Sequence, residues 1–143
     1  MLSSSNSILA LDVGGRRIGI AVANSVARIA RPVTALENND KFVSELQKQI
    51  QEHDAAVLVV GLPRGLDGQH TAQTAAVESF AAALKQHVEL PIYWQDEAVT
   101  SMQAETELNE RRGPGKYKKG DIDALAATYI LEDFLHDHPE VKA

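Results

Sequence analysis

The chain contains no cysteine, which excludes disulfides, thiolate zinc sites and a cysteine nucleophile together. Long apolar runs are missing too, and the longest ones present are far too short to span a membrane. The opening MLSSSNS has no basic stretch leading into an apolar core, so no secretion signal is expected there. Basic residues are outnumbered, 14 Lys and Arg against 20 Asp and Glu for a net charge of -6, and a general polyanion binder usually leaves the opposite footprint. No internal repeat is visible, nor a linker long enough to separate a pair of domains. What is present, 143 residues of which 44% are hydrophobic, suffices for one globular domain with a substantial core. A cytoplasmic protein with no membrane association is expected, its termini at 1–7 and 137–143 flexible.

Periodicity supplies the elements. Apolar runs at 8–13, 17–23 and 28–34 read as strands, the first two joined by the short turn GGRR as an antiparallel hairpin. Phe42, Val43, Leu46 and Ile50 recur at helical spacing. AAVLVVGLP is a continuous apolar run closed by Gly61 and Pro63, as in a strand buried on both faces. An Ala-rich helix over 71–87, a short strand ending at Asp96 and Glu97, a helix over 101–111 capped by Thr100 or Ser101, and a helix over 121–136 complete the chain. Three leading strands followed by alternating helices and strands predict an α/β fold, a mixed sheet with helices on its faces.

Open α/β sheets place their chemistry at strand ends. Asp12 closes the first strand, and Asp96 and Glu97 close the strand after Pro91. On the last helix, stepping about 100° per residue, Ile122, Leu125, Ala126, Tyr129 and Ile130 form one inward arc. Asp123 sits on the flank of that arc, Asp121 on the wet side where an N-cap role suits it, and Asp133 also projects toward the apolar side. Three carboxylates on separate elements, with no evident buried base between them, suit hard divalent cations with oxygen ligands. Such a set serves phosphodiester cleavage. The segment RRGPGKYKKG adds Arg111, Arg112, Lys116, Lys118 and Lys119 with no acid among them. It leads directly into the Asp123 helix, where a clamp on a phosphate backbone is expected. His70 stands near the same crevice, while His136 and His138 are expected to be solvated. Tyr93 and Trp94 read as packing residues.

LDVGGRRIGIAVAN, VVGLPRGLDGQHTAQTAAVESFAAAL, QDEAVTSMQAE and GDIDALAATYILEDFL resemble, in order and spacing over about residues 8–135, the bacterial YqgF family. Its members are described as nucleases of pre-16S rRNA or as Holliday-junction-resolvase-like proteins. The resemblance implies a single ribonuclease-H-like domain with a mixed five-stranded sheet, and Mg2+ or Mn2+ held by Asp12, Glu97 and Asp123. The choice of Glu97 over Asp96 comes from the resemblance alone. It also implies hydrolysis at the 5′ end of immature small-subunit rRNA, with structured RNA or a pre-ribosomal particle as partner; a monomer or weak dimer is expected. Substrate contacts are expected from Gly14, Arg17, Arg64 and Asp67 beside the basic segment. For Arg17, phosphate contact and a structural ion pair stand even. The chain departs from the family at Ala98, where the family usually has Arg, and at Gly65, where it often has Asn. A Holliday-junction DNA resolvase and a non-catalytic RNA-binding maturation factor are the alternative readings. An actin-like nucleotide site would need a second such domain.

Overall fold

A computed structural model describes residues 6–63, 70–97, 101–113 and 117–142. β1 (Ser7–Val13) and β2 (Arg17–Asn24) form the expected antiparallel hairpin, and β3 (Ala30–Glu37) adds antiparallel to β2. After α1 (Phe42–Glu52), β4 (Ala55–Pro63) returns parallel to β1; after α2 (Ala72–Leu84), β5 (Ile92–Glu97) lies parallel to β4. The sheet order is β3-β2-β1-β4-β5. α3 (Ser101–Arg112) and α4 (Lys119–Asp137) end the chain. This is the mixed five-stranded sheet with helices on both faces that the sequence predicts.

Side chains alternate across a strand, and the two faces carry separate cores. Leu9, Leu11, Ile18, Ile20, Leu58 and Val60 pack under α1 and α2, through Phe42, Leu46, Val77 and Leu84. Ile8, Ala10, Ala21, Val57 and Val59 pack under α4, through Ala127, Ile130, Leu131 and Phe134. α3 packs on α4, with Ala104 and Leu108 against Leu125 and Ala126. α4 is therefore buried on two sides, and its single expected arc divides. Ile130 faces the sheet, while Ile122, Leu125, Ala126 and Tyr129 face α3.

Several boundaries shift for local reasons. β3 begins at Ala30 rather than 28 because the Asn24 side chain accepts the N–H groups of Val26 and Ala27 at 2.8 and 3.1 Å, closing a turn. α2 stops at Leu84, followed by a turn over 85–87. α4 starts two residues early, at Lys119, because the Asp121 carboxylate accepts the Lys118 main-chain N–H at 3.0 Å. Asp121 thus caps from inside the first turn instead of standing before it. The α3 cap at Thr100 or Ser101 lies outside what the described residues show.

The described residues after α4 pack back on the fold. Val141 is buried against the α4 core, and Arg28 donates to the carbonyls of Val141, Leu135 and His138 at 2.7, 3.1 and 3.1 Å. His138 is correspondingly half-buried, its ring 4.7 Å from that of Phe134. Arg28 makes these bonds from a left-handed backbone, φ 55°, which costs a non-glycine residue about 1 kcal/mol. Arg28→Ala is expected to lower stability by about 2 kcal/mol, read as a shift in the urea midpoint. Arg28→Gly should lose less, since it keeps the turn without the strain. Equal losses would show that the backbone conformation carries no cost.

Candidate active site

Alternation decides which side chains meet. Asp12 follows Ile8 and Ala10 at even spacing and so faces α4. Its partner across the hairpin is Gly19, and Arg17 shares that face by the same period. On β5, Tyr93 packs edge-on to Phe134 of α4 with centroids 5.5 Å apart, and the Gln95 amide donates to Asp137 of α4 at 3.0 Å. Glu97 continues that series. Asp96 falls on the opposite face and is exposed.

Two glycines let α4 lie across this corner. A Cβ on Gly19 would run into the carbonyl of Asp123 and stand 3.0 Å from the Ala124 nitrogen. On Gly61 it would meet Ile130 Cδ1 and stand 3.4 Å from Glu97 Oε2. Gly14 tightens the hairpin, its N–H bonded to the Arg17 carbonyl at 2.9 Å, an oxygen that a Cβ there would approach to 2.7 Å. Neither Gly14 nor Gly15 has a positive φ, so closeness rather than handedness calls for glycine at Gly14, while a Cβ on Gly15 would meet open space.

The first strand and the fifth bring the Asp12 and Glu97 carboxyls within hydrogen-bonding reach of each other. Burial raises Asp12 most, the bond from Glu97 works against it, and the Asp123 charge adds to the rise, leaving Asp12 at about 6. Burial, then the Asp12 charge, then their shared bond push Glu97 up to about 8. Two carboxyls brought together in a half-buried corner, both pushed up chiefly by burial, form a donor set that a hard cation fits. Asp123 lies close enough to act on Asp12, yet its Oδ2 is held by Arg17 Nε at 2.6 Å. Among the described residues no three acids or histidines stand close enough together to hold a metal ion as arranged. Of the two roles open to Arg17, the ion pair is the one seen.

Beyond Arg17 the basic segment forms the rim of a cleft of about 600 Å3, where Arg17, Arg111, Arg112 and Lys118 converge between β3 and the junction of α3 with α4. Arg112 pairs with Asp121 at 3.1 Å, and Arg111 with Glu107 at 3.6 Å. Glu107 also accepts from the Tyr129 hydroxyl, tying α3 to α4. Lys119 is exposed and does not line the cleft. Arg64, Asp67 and Lys116, with Gly65 and Ala98, lie outside the described residues. His70 pairs with Glu78 at 2.7 Å on the exposed side of α2. Asp133 is ten residues along α4 from Asp123, about 15 Å by helical rise, and does not join the acids. Sequence reasoning missed Gly19 and the role of Gly61 under α4, since neither carried a signal beyond its type. The period of β5 puts Glu97 and Asp96 on opposite faces, but only the packing of α4 decides which of the two faces meets Asp12.

Residues 6–137 match the family model of RuvX, described as Holliday junction resolvase. A protein of Crocosphaera subtropica named "Putative pre-16S rRNA nuclease" is 40% identical over 131 residues, covering 90% of this chain and 92% of that one. One of the same name from Actinobacillus succinogenes is 34% identical over 136 residues, covering 94% and 97%. Among solved structures, T. thermophilus RuvC in complex with a Holliday junction substrate shares the fold at a TM-score of 0.56 and 12% identity, over 96% of this chain and 98% of that one. The Fowlpox virus resolvase with Holliday junction DNA does so at 0.52 and 7%, over 90% and 98%. At such identities the likeness is one of fold: the RuvC architecture, ribonuclease-H-like, as the sequence resemblance implies. Matched over nearly its whole length, the chain belongs to the RuvX family of Holliday junction resolvases and is by that membership a nuclease, hydrolysing phosphodiester bonds.

Proposed function

We propose that residues 1–143 form one nuclease unit, dependent on a divalent cation, that trims the 5′ end of precursor 16S rRNA in the cytoplasm. The observation that carries the metal dependence is the meeting of the Asp12 and Glu97 carboxyls in one half-buried corner, with the Asp123 charge beside them. Asp12, Glu97 and Asp123 would hold Mg2+ or Mn2+. Once bound, such a cation activates a water and offsets the charge that develops on the phosphate. Arg17 holds Asp123 at the edge of the corner. Arg111, Arg112 and Lys118 bind the backbone leading up to it, as charges on phosphate oxygens that position without reading sequence. Structured RNA is favoured over branched DNA because the relatives with the greater identity bear the rRNA nuclease name. The family description supports a four-way DNA junction as the second substrate to test.

The test is cleavage of a labelled, 5′-extended rRNA fragment and of a four-way DNA junction, with Mg2+, Mn2+ or EDTA, by the native protein and Glu97→Gln. Cleavage of the RNA that needs the cation and falls at least about a thousandfold in Glu97→Gln is expected. Activity that survives both EDTA and the substitution would sink the metal reading. Binding of RNA with no cleavage under any condition would leave a maturation factor that binds without turnover.

A further inference from the structure

We propose that the cleft between β3 and the α3–α4 junction takes an unpaired nucleotide of the substrate, next along the backbone to the phosphate at the acids. The proposal rests on the nuclease reading for the position of that phosphate. Three features of the cleft carry it.

The first is its construction. Its floor is apolar, made by Pro32 and Ala35 of β3, Leu108 of α3, and Ala124 and Leu125 of α4. Its rim is cationic on balance, with Arg17, Arg111, Arg112 and Lys118 outnumbering Glu107 and Asp121. An apolar floor beneath a cationic rim suits a base lying inward and its phosphates outward. At about 600 Å3 the cleft falls in the range that encloses small ligands. A base stacked in a duplex has no face free for such a floor. It must leave its stack first, at a cost of a few kcal/mol that an already unpaired base does not meet.

The second is the ion pairing of the rim. Arg111 and Arg112 are 72% and 54% exposed in their pairs with Glu107 and Asp121. Exposed pairs of this kind contribute about 0–1 kcal/mol. They hold each guanidinium at the cleft mouth, yet yield readily to a phosphate. Arg17 is shared, lining the cleft while bonded to Asp123. A nucleotide seated in the cleft therefore has the acids on the far side of a single side chain.

The third is the edge strand. β3 ends the sheet, and an open edge ordinarily invites another strand. Here Pro32 removes a donor from that edge, and the register of β3 against β2 shifts between Ile20 and Ala21. Both features oppose strand addition, which disfavours an extended peptide as occupant. No aromatic side chain lines the cleft among the described residues. The base is thus held by apolar contact rather than by a stacking platform, and little base preference is expected.

Binding is measured with Asp12→Asn protein, so that no substrate is consumed, using fluorescent RNA duplexes of one sequence with or without a three-nucleotide bulge in Mg2+. The bulged duplex is expected to bind at least about tenfold tighter. Adding Pro32→Trp, an exposed edge position whose new ring would occupy the cleft, should erase that preference and leave the affinity for the perfect duplex. An Arg112→Ala, Lys118→Ala pair, both exposed, should reduce the preference without filling the cleft. Equal binding of the two duplexes, or a preference that survives both variants, overturns the proposal. The nuclease reading fails separately: it falls if the native protein cleaves neither duplex nor any precursor fragment, whatever the bulge does to binding.

Discussion

Asp12→Asn is expected to abolish cleavage and, in the metal-free protein, to make the fold more stable. Both effects have one cause. Asp12 stands at about 6 and Glu97 at about 8, chiefly through burial, against ordinary values of 3.8 and 4.5. Over the window from about pH 4 to about pH 8 the folded chain holds protons that the unfolded chain has released. Unfolding then gives up protons, so stability is highest at the acid end of the window and falls as pH rises. At pH 8 the pair is at its most unfavourable, with two charges developing in one half-buried corner. The amide of Asp12→Asn removes one of them. It also removes the second-largest cause of the rise at Glu97, while burial keeps some of that rise.

The melting temperature of Asp12→Asn at pH 8 without metal should exceed that of the native protein by roughly 3–8 °C, or about 1–2 kcal/mol. The gap should close toward pH 5. Mg2+ should reverse the order, because a cation bound to ionised carboxylates stabilises the native protein by mass action and has lost a ligand in the variant. Cleavage should fall at least about a thousandfold, the loss of several kcal/mol of charge stabilisation. A lower melting temperature for Asp12→Asn at pH 8 without metal would show that the pair is an ordinary structural hydrogen bond.

Much of this corner is legible in the amino-acid sequence. The hairpin ending in Asp12, the buried run of β4 and the flank position of Asp123 follow from periods of 2.0 and 3.6. What escapes is what tertiary contact decides. A helical wheel assumes one core, but α4 has the sheet on one side and α3 on the other, so its expected arc is really two. Glu97 against Asp96 follows from the alternation Tyr93, Gln95, Glu97 only once it is known which face of β5 meets α4. Arg17 illustrates the opposite limit. Its position on β2 fixes its face, but whether it meets Asp123 or a phosphate depends on where the backbone of α4 comes to rest. The contacts of the segment after α4 are not legible in sequence because the residue that bonds its carbonyls, Arg28, is more than a hundred positions away.

The resting place of α4 depends on one missing methyl group, and Gly19→Ala is expected to show it. The added Cβ would meet the Asp123 carbonyl and the Ala124 nitrogen. These are main-chain atoms of a helix packed on both sides, so no rotamer change can clear them. The helix must lift from β2 at the turn that carries Asp123. A loss of about 3 kcal/mol is expected, roughly 10 °C in melting temperature. The protein that still folds should cleave about a hundredfold more slowly, since displacing a reacting group by about 1 Å costs that much.

Gly61→Ala provides the control on the same face. Its Cβ would meet the far end of the Ile130 side chain, which can turn away or be trimmed. A loss of about 1–2 kcal/mol is expected there. Adding Ile130→Val, which removes the Cδ1 atom in the way, should leave the double variant more stable than the sum of the single losses implies. No side-chain substitution on α4 can compensate Gly19→Ala in this way, because what obstructs it is backbone. If Gly19→Ala proved as mild as Gly61→Ala, α4 would have to be free to slide over β2, and the placing of Asp123 by close helix–strand contact would fail with it.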